Sequence, residues 1–150
     1  MRLARAIAAF IALPGVVSFA IPLWIVRSTP APLRYRLAGS ALLAVGTLLL
    51  LWCVREFYEA GRGTLAPWDP PQSLVTSGPY RWSRNPMYVA VITILAGWCT
   101  LCDSRVLLIY SIAVACAFWL RVVLAEEPWA ARRFGAKWEA YRAHVPRWLL

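Results

Sequence analysis

Apolar residues along the chain gather into four long stretches that are separated by polar or proline-containing segments. The stretches run from about Leu3 to Ile25, Leu37 to Val54, Met87 to Leu101 and Val106 to Leu124. A membrane-spanning helix needs about 20 apolar residues, so each stretch is a candidate span and the third is short. The pattern predicts an all-α integral membrane protein: one domain, residues 1–150, with about four transmembrane helices.

The first stretch has the basic start of a signal peptide, with Arg2 and Arg5 ahead of small residues. Its apolar run is longer than the 7–15 residues or so of a signal core, and it continues past Pro14 and Pro22. We therefore expect a retained, proline-kinked helix.

Composition agrees with a membrane protein. Charged residues make up 15% of the chain and the mean hydropathy is +0.57, whereas soluble domains carry roughly 25% charged residues. The net charge of +9 could indicate a nucleic-acid partner. With four crossings, however, twelve of the 16 Lys and Arg residues fall on the side of the termini and four on the other side. This bias predicts cytoplasmic termini and contact with anionic lipid headgroups, without nucleic acid.

Two segments outside the apolar stretches have distinct patterns. Residues 55–86 form a long, Gly- and Pro-rich cytoplasmic loop that contains aromatic residues, and such a loop is more often functional than disordered. In the cytoplasmic tail, residues 125–150, the aromatic residues Phe134, Trp138 and Tyr141 recur at helical spacing among basic residues. This tail predicts an amphipathic helix at the membrane interface, with Pro128 in its first turn.

Small and sulfur-containing residues favour structural roles. Gly39 and Gly46 lie seven residues apart on the second stretch, which predicts close helix packing. Cys99 and Cys102 have a metal or redox spacing, but no second Cys or His cluster accompanies them and His144 stands alone. We therefore expect no metal site.

The segment before the third stretch holds the first candidate ligand group. Asn85-Pro86 pushes Asn85 toward extended backbone and pre-sets the first turn of the next helix. Arg84 is thereby held at a helix N-terminus, where anions are favoured, and could bind a carboxylate. The alternative is that Arg81 and Arg84 extend to lipid phosphates; we favour this alternative for Arg81 only.

Glu126 and Glu127 follow the fourth stretch and supply the second candidate group. Two acids at a helix C-terminus oppose the helix dipole, so helix stability does not explain them. With Arg84, one glutamate could form a receptor for a zwitterion such as an amino-acid moiety, although an internal Arg–Glu bridge would use the same residues. Tyr80, Trp82 and Tyr88 offer flat faces for a purine or a cation, or belong to the interfacial aromatic belt.

These motifs, in this order, resemble a known family of enzymes. The chain from about residue 57 to 148 resembles the isoprenylcysteine carboxyl methyltransferases and the related phospholipid N-methyltransferases, especially their small bacterial members. The motifs that carry the resemblance are Gly78-Pro79-Tyr80, Arg84-Asn85-Pro86-Met87-Tyr88, Glu126-Glu127, Phe134-Gly135, Tyr141 and Pro146.

The resemblance implies an integral-membrane enzyme, in a bacterial inner membrane, that uses S-adenosylmethionine and releases S-adenosylhomocysteine. It implies catalytic roles for Arg84 and Glu127. We add Glu126 as a catalytic residue, because it is the nearby candidate base for an amine acceptor. The residues that it implies for cofactor binding are Gly78, Tyr80, Arg84, Asn85, Pro86, Tyr88 and Glu127. A lipid or other apolar acceptor would enter from the bilayer.

The resemblance has one departure and leaves the acceptor open. Asn85 stands where the eukaryotic isoprenylcysteine enzymes have His, and Asn cannot titrate. The methylated group could be a carboxylate, an amine or a thiol. Two other functions stay open: a membrane reductase that uses a nicotinamide cofactor, and a non-catalytic accessory protein of the same fold.

Overall fold

The computed structural model describes residues 11–29, 33–60 and 72–149. Within these ranges every regular element is helical, which confirms the all-α prediction for this part of the chain. The elements are a π-helical segment Ile11–Ala20, α1 (Ile21–Ser28), α2 (Arg36–Glu59), a 3₁₀ turn Gly78–Arg81, α3 (Pro86–Cys102), α4 (Arg105–Arg121), a π-helical segment Val122–Glu126, α5 (Glu127–Phe134) and α6 (Ala136–His144).

Among the described residues, two helices are long and apolar enough to cross a membrane. They are Arg36–Glu59, with 24 residues, and the continuous helix Arg105–Phe134, with 30 residues. Their outer faces expose large apolar side chains, since Leu37, Ile109 and Leu124 are 88%, 68% and 71% exposed. An apolar surface of this kind suits lipid better than water. Pro14–Ser28 and Pro86–Cys102 are shorter apolar helices, and residues 3–10 of the first predicted span lie outside the described residues.

Glycines bring α2 and α3 into close contact. A Cβ atom added at Gly39 would lie 2.7 Å from Leu101 Cβ, and one added at Gly46 would lie 2.7 Å from Ile94 Cγ1. A Cβ atom added at Gly97 of α3 would lie 2.8 Å from the backbone nitrogen of Leu43. The predicted packing role of Gly39 and Gly46 is therefore confirmed.

Two side-chain hydrogen bonds near Pro22 connect the first helical segment to α3 and α4. Because proline has no N–H, Pro22 cannot donate to Ser18 O, its acceptor in an α-helix, or to Val17 O, its acceptor in a π-helix. The Nε1 atom of Trp98 donates to Ser18 O at 2.9 Å, and the Tyr110 hydroxyl donates to Val17 O at 2.9 Å. Side chains from α3 and α4 thus satisfy these two carbonyl groups in an apolar setting.

Three sequence predictions need correction. The polar loop does not begin at residue 55, because α2 continues to Glu59. No helix ends before Glu126 and Glu127, because α4 continues through the π-helical segment Val122–Glu126 into α5. The tail forms two helices rather than one, with a break at Gly135, whose φ of +51° is a conformation that glycine adopts most easily.

Candidate functional site

The loop before α3 is fixed to the end of α2 through Glu56. The Ser77 hydroxyl donates to Glu56 Oε2, and Trp52 Nε1 donates to Glu56 Oε1 at 3.2 Å. Gly78 has a φ of +56°, and a Cβ atom there would lie 2.7 Å from the Glu56 carboxylate carbon. Gly78 therefore serves the conformation of the loop, and it does not line the cavity described below.

Tyr80 and Tyr141 connect this loop to α6. Tyr80 is buried, its ring centroid lies 5.4 Å from that of Phe57, and its carbonyl oxygen accepts a hydrogen bond from the Tyr141 hydroxyl at 2.6 Å. Burial raises the pKa of the Tyr80 hydroxyl well above its usual range. Burial also raises the pKa of Tyr141 to about 12. Both hydroxyl groups are therefore protonated at neutral pH.

Asn85 connects the start of α3 to the C-terminal segment. Its backbone has φ −130° and ψ 48°, so it is outside the helical region but is not extended as predicted. Its Nδ2 atom donates to Arg147 O at 3.0 Å, and the buried Ser83 hydroxyl donates to the same carbonyl at 3.2 Å. Pro86 occupies the first turn of α3, as predicted, and is buried outside the cavity lining.

Arg84 is the most enclosed cation among the described residues of the site. Its side chain is 12% exposed, its Nη1 atom lies 3.0 Å from Glu127 Oε1, and its Cζ atom lies 5.4 Å from the centroid of the Trp138 ring. Among the described residues, its buried Nε atom has no hydrogen-bond partner. Burial lowers the pKa of the guanidinium group, which nevertheless stays protonated because arginine does not lose its proton in proteins.

Glu127 also binds Arg147, which the sequence indicates only as one of the positive charges that set the topology. Arg147 Nε donates to Glu127 Oε1 at 2.8 Å, and Arg147 Nη2 donates to Oε2 at 2.8 Å. The Glu127 side chain is 17% exposed and that of Arg147 is 36% exposed. Arg84, Glu127 and Arg147 thus form one ion triad. The sequence signal for Arg147 was its position next to Pro146, a residue of the resemblance.

Glu126, the neighbour of Glu127 in the chain, has separate partners. Arg121 Nε donates to Glu126 Oε1 at 2.7 Å, and the Tyr88 hydroxyl donates to the same oxygen. The Tyr88 ring packs against Phe118 with centroids 4.3 Å apart. Both glutamates are therefore paired inside the chain, Glu127 with two arginines and Glu126 with Arg121 and Tyr88.

A cavity of about 670 Å³ brings most of the predicted site residues together. Its lining includes Tyr80, Arg84, Asn85, Tyr88, Glu126 and Glu127, and it excludes Gly78, Pro86 and Trp82. Its remaining wall is mainly apolar and includes the aromatic rings of Phe57, Trp129, Phe134 and Trp138. Small-molecule sites have this size and this combination of apolar walls with a few converging polar groups.

Comparison with known proteins identifies the family. The family model described as phospholipid methyltransferase matches residues 35–137, about two thirds of the chain. This chain belongs to the phospholipid methyltransferase family. The match confirms the resemblance found in the sequence, and it covers α2 to the first turn of α6, including Arg84, Glu126 and Glu127. No curated protein and no solved structure matches the chain.

Membership of the phospholipid methyltransferase family implies a membrane-associated methyltransferase with a membrane-associated substrate. The apolar helices of the fold agree with that setting. Within residues 11–29, 33–60 and 72–149, no group of three or more His, Cys, Asp or Glu side chains could hold a metal ion.

Proposed function

We propose that this protein transfers a methyl group from S-adenosylmethionine to a lipid or other apolar acceptor at the cytoplasmic face of the membrane. The observation that carries the proposal is the Arg84–Glu127 ion pair, enclosed in the wall of a cavity large enough for a nucleoside ligand. Family membership gives the reaction class, and the chemistry of the cavity supports this methyl donor.

The residues present fit S-adenosylmethionine. Its carboxylate is suited to the guanidinium group of Arg84, whose buried Nε atom has no partner among the described residues. A carboxylate offers about four acceptor positions, and the Glu127 carboxylate contacts three nitrogen atoms, one of Arg84 and two of Arg147. The remaining acceptor position could bind the ammonium group of S-adenosylmethionine. The cavity's aromatic rings offer flat apolar faces for adenine.

When bound, the sulfonium group would supply an activated methyl group. The protein's own contribution is then to orient both reactants and to exclude water. Arg84 and Glu127 would hold one end of the ligand, and the packed pair Tyr88–Phe118 also lines the cavity.

Glu126 is the candidate group for proton transfer. A carboxylate or thiolate acceptor needs no base, whereas an amine acceptor must lose a proton before it can accept a methyl group. Glu126 lines the cavity with its carboxylate held by Tyr88 and Arg121. Glu126→Gln should therefore abolish methylation of an amine acceptor and spare methylation of a carboxylate.

For the membrane arrangement we propose four spans with both termini in the cytoplasm of a bacterial cell. The two shorter apolar helices would then cross together with α2 and α4, and the positive charge bias sets the orientation. In a variant without the four native cysteines, a membrane-impermeant maleimide added to intact cells should label Asp103→Cys and leave Glu139→Cys unlabelled. The reverse labelling pattern would contradict this orientation.

The reaction itself can be tested with S-adenosylmethionine labelled in the methyl group. Membranes that contain the protein, supplied with a total bacterial lipid extract, should incorporate label into the organic-solvent fraction. Base-labile label released as methanol would identify a methyl ester, and stable label would identify N- or S-methylation. Glu127→Gln should remove the label, whereas Glu139→Gln, at an exposed residue of α6 paired with Arg142, should not. Lipid labelling that is equal in wild type and Glu127→Gln would contradict the proposed site.

A further inference from the structure

We infer that Arg147 is a positioning residue: its side chain fixes the Glu127 carboxylate so that the cavity recognises the amino-acid end of its ligand. This inference rests on the proposed function, because it assumes a ligand with an amino-acid end. It assigns a role to a residue outside the segment matched by the family, which ends at residue 137.

The contact between Arg147 and Glu127 is bidentate. Nε and Nη2 of Arg147 lie 2.8 Å from the two oxygens of the carboxylate, whereas Arg84 reaches only Oε1, at 3.0 Å. Two parallel hydrogen bonds fix the plane of a carboxylate, and a single contact leaves it free to rotate. Arg147 therefore determines which acceptor position of Glu127 stays open to a ligand.

The backbone around Arg147 is anchored independently of its side chain. The Arg147 carbonyl accepts hydrogen bonds from Ser83 Oγ at 3.2 Å and Asn85 Nδ2 at 3.0 Å, and the Pro146 carbonyl accepts one from Arg84 N at 2.9 Å. These three bonds hold the C-terminal segment against the loop before α3. A guanidinium group delivered from an anchored backbone is pre-organised for its partner, and a shorter side chain at this position would not release the segment.

The electrostatics of the triad favour the same role. Two guanidinium groups share one carboxylate, so the triad has one excess positive charge. That excess positive charge favours binding of the carboxylate end of a zwitterion. Arg147 neutralises the charge of Glu127, so Arg84 can interact with the carboxylate of the ligand. Arg147 itself does not line the cavity, so its effect on a ligand passes through Glu127.

The test compares two ligands that differ only in the amino-acid end. S-adenosylhomocysteine has this end, and 5′-methylthioadenosine, which keeps the nucleoside and the thioether, lacks it. Both dissociation constants are measured by titration of detergent-solubilised protein, up to millimolar ligand, for wild type, Arg147→Gln and Arg147→Lys. Arg142→Gln is the matched control, since Arg142 is an exposed arginine nearby that pairs with Glu139.

We expect Arg147→Gln to weaken S-adenosylhomocysteine about 10- to 100-fold, the effect of losing hydrogen bonds to a charged group. Methylthioadenosine should bind as it does to wild type. Arg147→Lys should recover part of the loss, because lysine keeps the charge without the planar fork. Arg142→Gln should bind both ligands as wild type does.

Each other outcome overturns the inference in a recognisable way. Equal weakening of both ligands would assign Arg147 a general structural role. Unchanged or tighter binding of S-adenosylhomocysteine by Arg147→Gln would mean that Arg147 does not hold Glu127 in its binding geometry, while the proposed function would stand. No binding of S-adenosylhomocysteine by wild type would remove the proposed function together with this inference.

Discussion

Helix α3 has an ion pair at each end, and the two pairs are built differently. At its C-terminal end, Arg34 Nη1 lies 2.9 Å from Asp103 Oδ2, and the two side chains are 60% and 50% exposed. At its N-terminal end, Arg84 and Glu127 lie 3.0 Å apart with side chains only 12% and 17% exposed, and Arg147 adds two further contacts. The first pair joins two exposed turns, whereas the second lines a cavity of about 670 Å³.

The two ion pairs differ in what they can contribute to the stability of the protein. An exposed pair in water stabilises a protein by about 0–1 kcal/mol and is weakened by salt. An enclosed pair loses hydration, so an apolar pair of similar volume would often serve stability as well or better. The Arg34–Asp103 pair needs no role beyond a small contribution to stability, which it makes by joining two exposed turns. The enclosed triad is not explained by stability, and this supports a ligand-binding role.

The largest effect should come from removing the shared carboxylate. Glu127→Gln leaves Arg84 and Arg147 without their counter-ion, so we expect the free energy of unfolding to fall by about 3 kcal/mol. Binding of S-adenosylhomocysteine should be lost as well. Denaturant unfolding in detergent and a binding titration measure the two effects. Glu139→Gln should change neither, and wild-type binding by Glu127→Gln would place the ligand elsewhere.

Replacing both members of the enclosed pair should separate stability from function. Arg84→Met combined with Glu127→Leu removes both charges together and leaves Arg147 able to reach water, since it is 36% exposed. We expect the double variant to regain at least half of the stability lost in Glu127→Gln and to bind no S-adenosylhomocysteine. If the double variant is no more stable than Glu127→Gln, the charges of the enclosed triad themselves stabilise the fold, and its presence would not need a ligand-binding role.

Tyr141 gives the enclosed end of α3 a dependence on high pH. Its pKa is about 12 in the folded protein and about 10 in the unfolded chain. The stabilisation that Tyr141 contributes is therefore fully present below pH 10. It is lost as pH rises from 10 to 12, because the unfolded chain loses this proton at lower pH than the folded protein does. Tyr141→Phe should lose about 1 kcal/mol at pH 8 with the hydrogen bond to Tyr80 O. It should also show a shallower decline from pH 10 to 12. An equally steep decline would assign the effect to other groups.

The smallest effect is expected at the exposed pair. Arg34→Gln should lower the free energy of unfolding only slightly, because both members of the pair are exposed, and this loss should shrink further in 1 M salt. Binding of S-adenosylhomocysteine should equal that of wild type. A loss of binding in Arg34→Gln would show that the two ends of α3 are coupled and would contradict their separate roles.

Much of the fold follows from local sequence patterns. The apolar stretches correspond to helices in the described residues, and Gly39 and Gly46 lie where α2 approaches α3, because both features depend on residue size and hydropathy along one helix. The continuation of the helix through Glu126 and Glu127 was not predicted. The π-helical segment Val122–Glu126 joins α4 directly to α5, which begins at Glu127 and contains Pro128. Neither hydropathy nor helix-capping rules detect such a segment.

The candidate site was predicted in part. Arg84 and Glu127 were both identified, and the structure pairs them across 43 residues of sequence. The contribution of Arg147 was missed because it depends on the path of the C-terminal segment. Three hydrogen bonds to residues 83–85 set that path, and none of them has a local signature in the sequence.

A calorimetric titration of S-adenosylhomocysteine into detergent-solubilised protein tests whether this cavity binds the methyl donor through Arg84. Wild type, Arg84→Ala and Arg81→Ala are compared; Arg81 is an exposed arginine of the same loop that does not line the cavity. We predict micromolar binding to wild type and Arg81→Ala, and loss of binding in Arg84→Ala. Absence of binding by folded wild type, or equal binding by Arg84→Ala, would contradict the assignment of this cavity to the methyl donor.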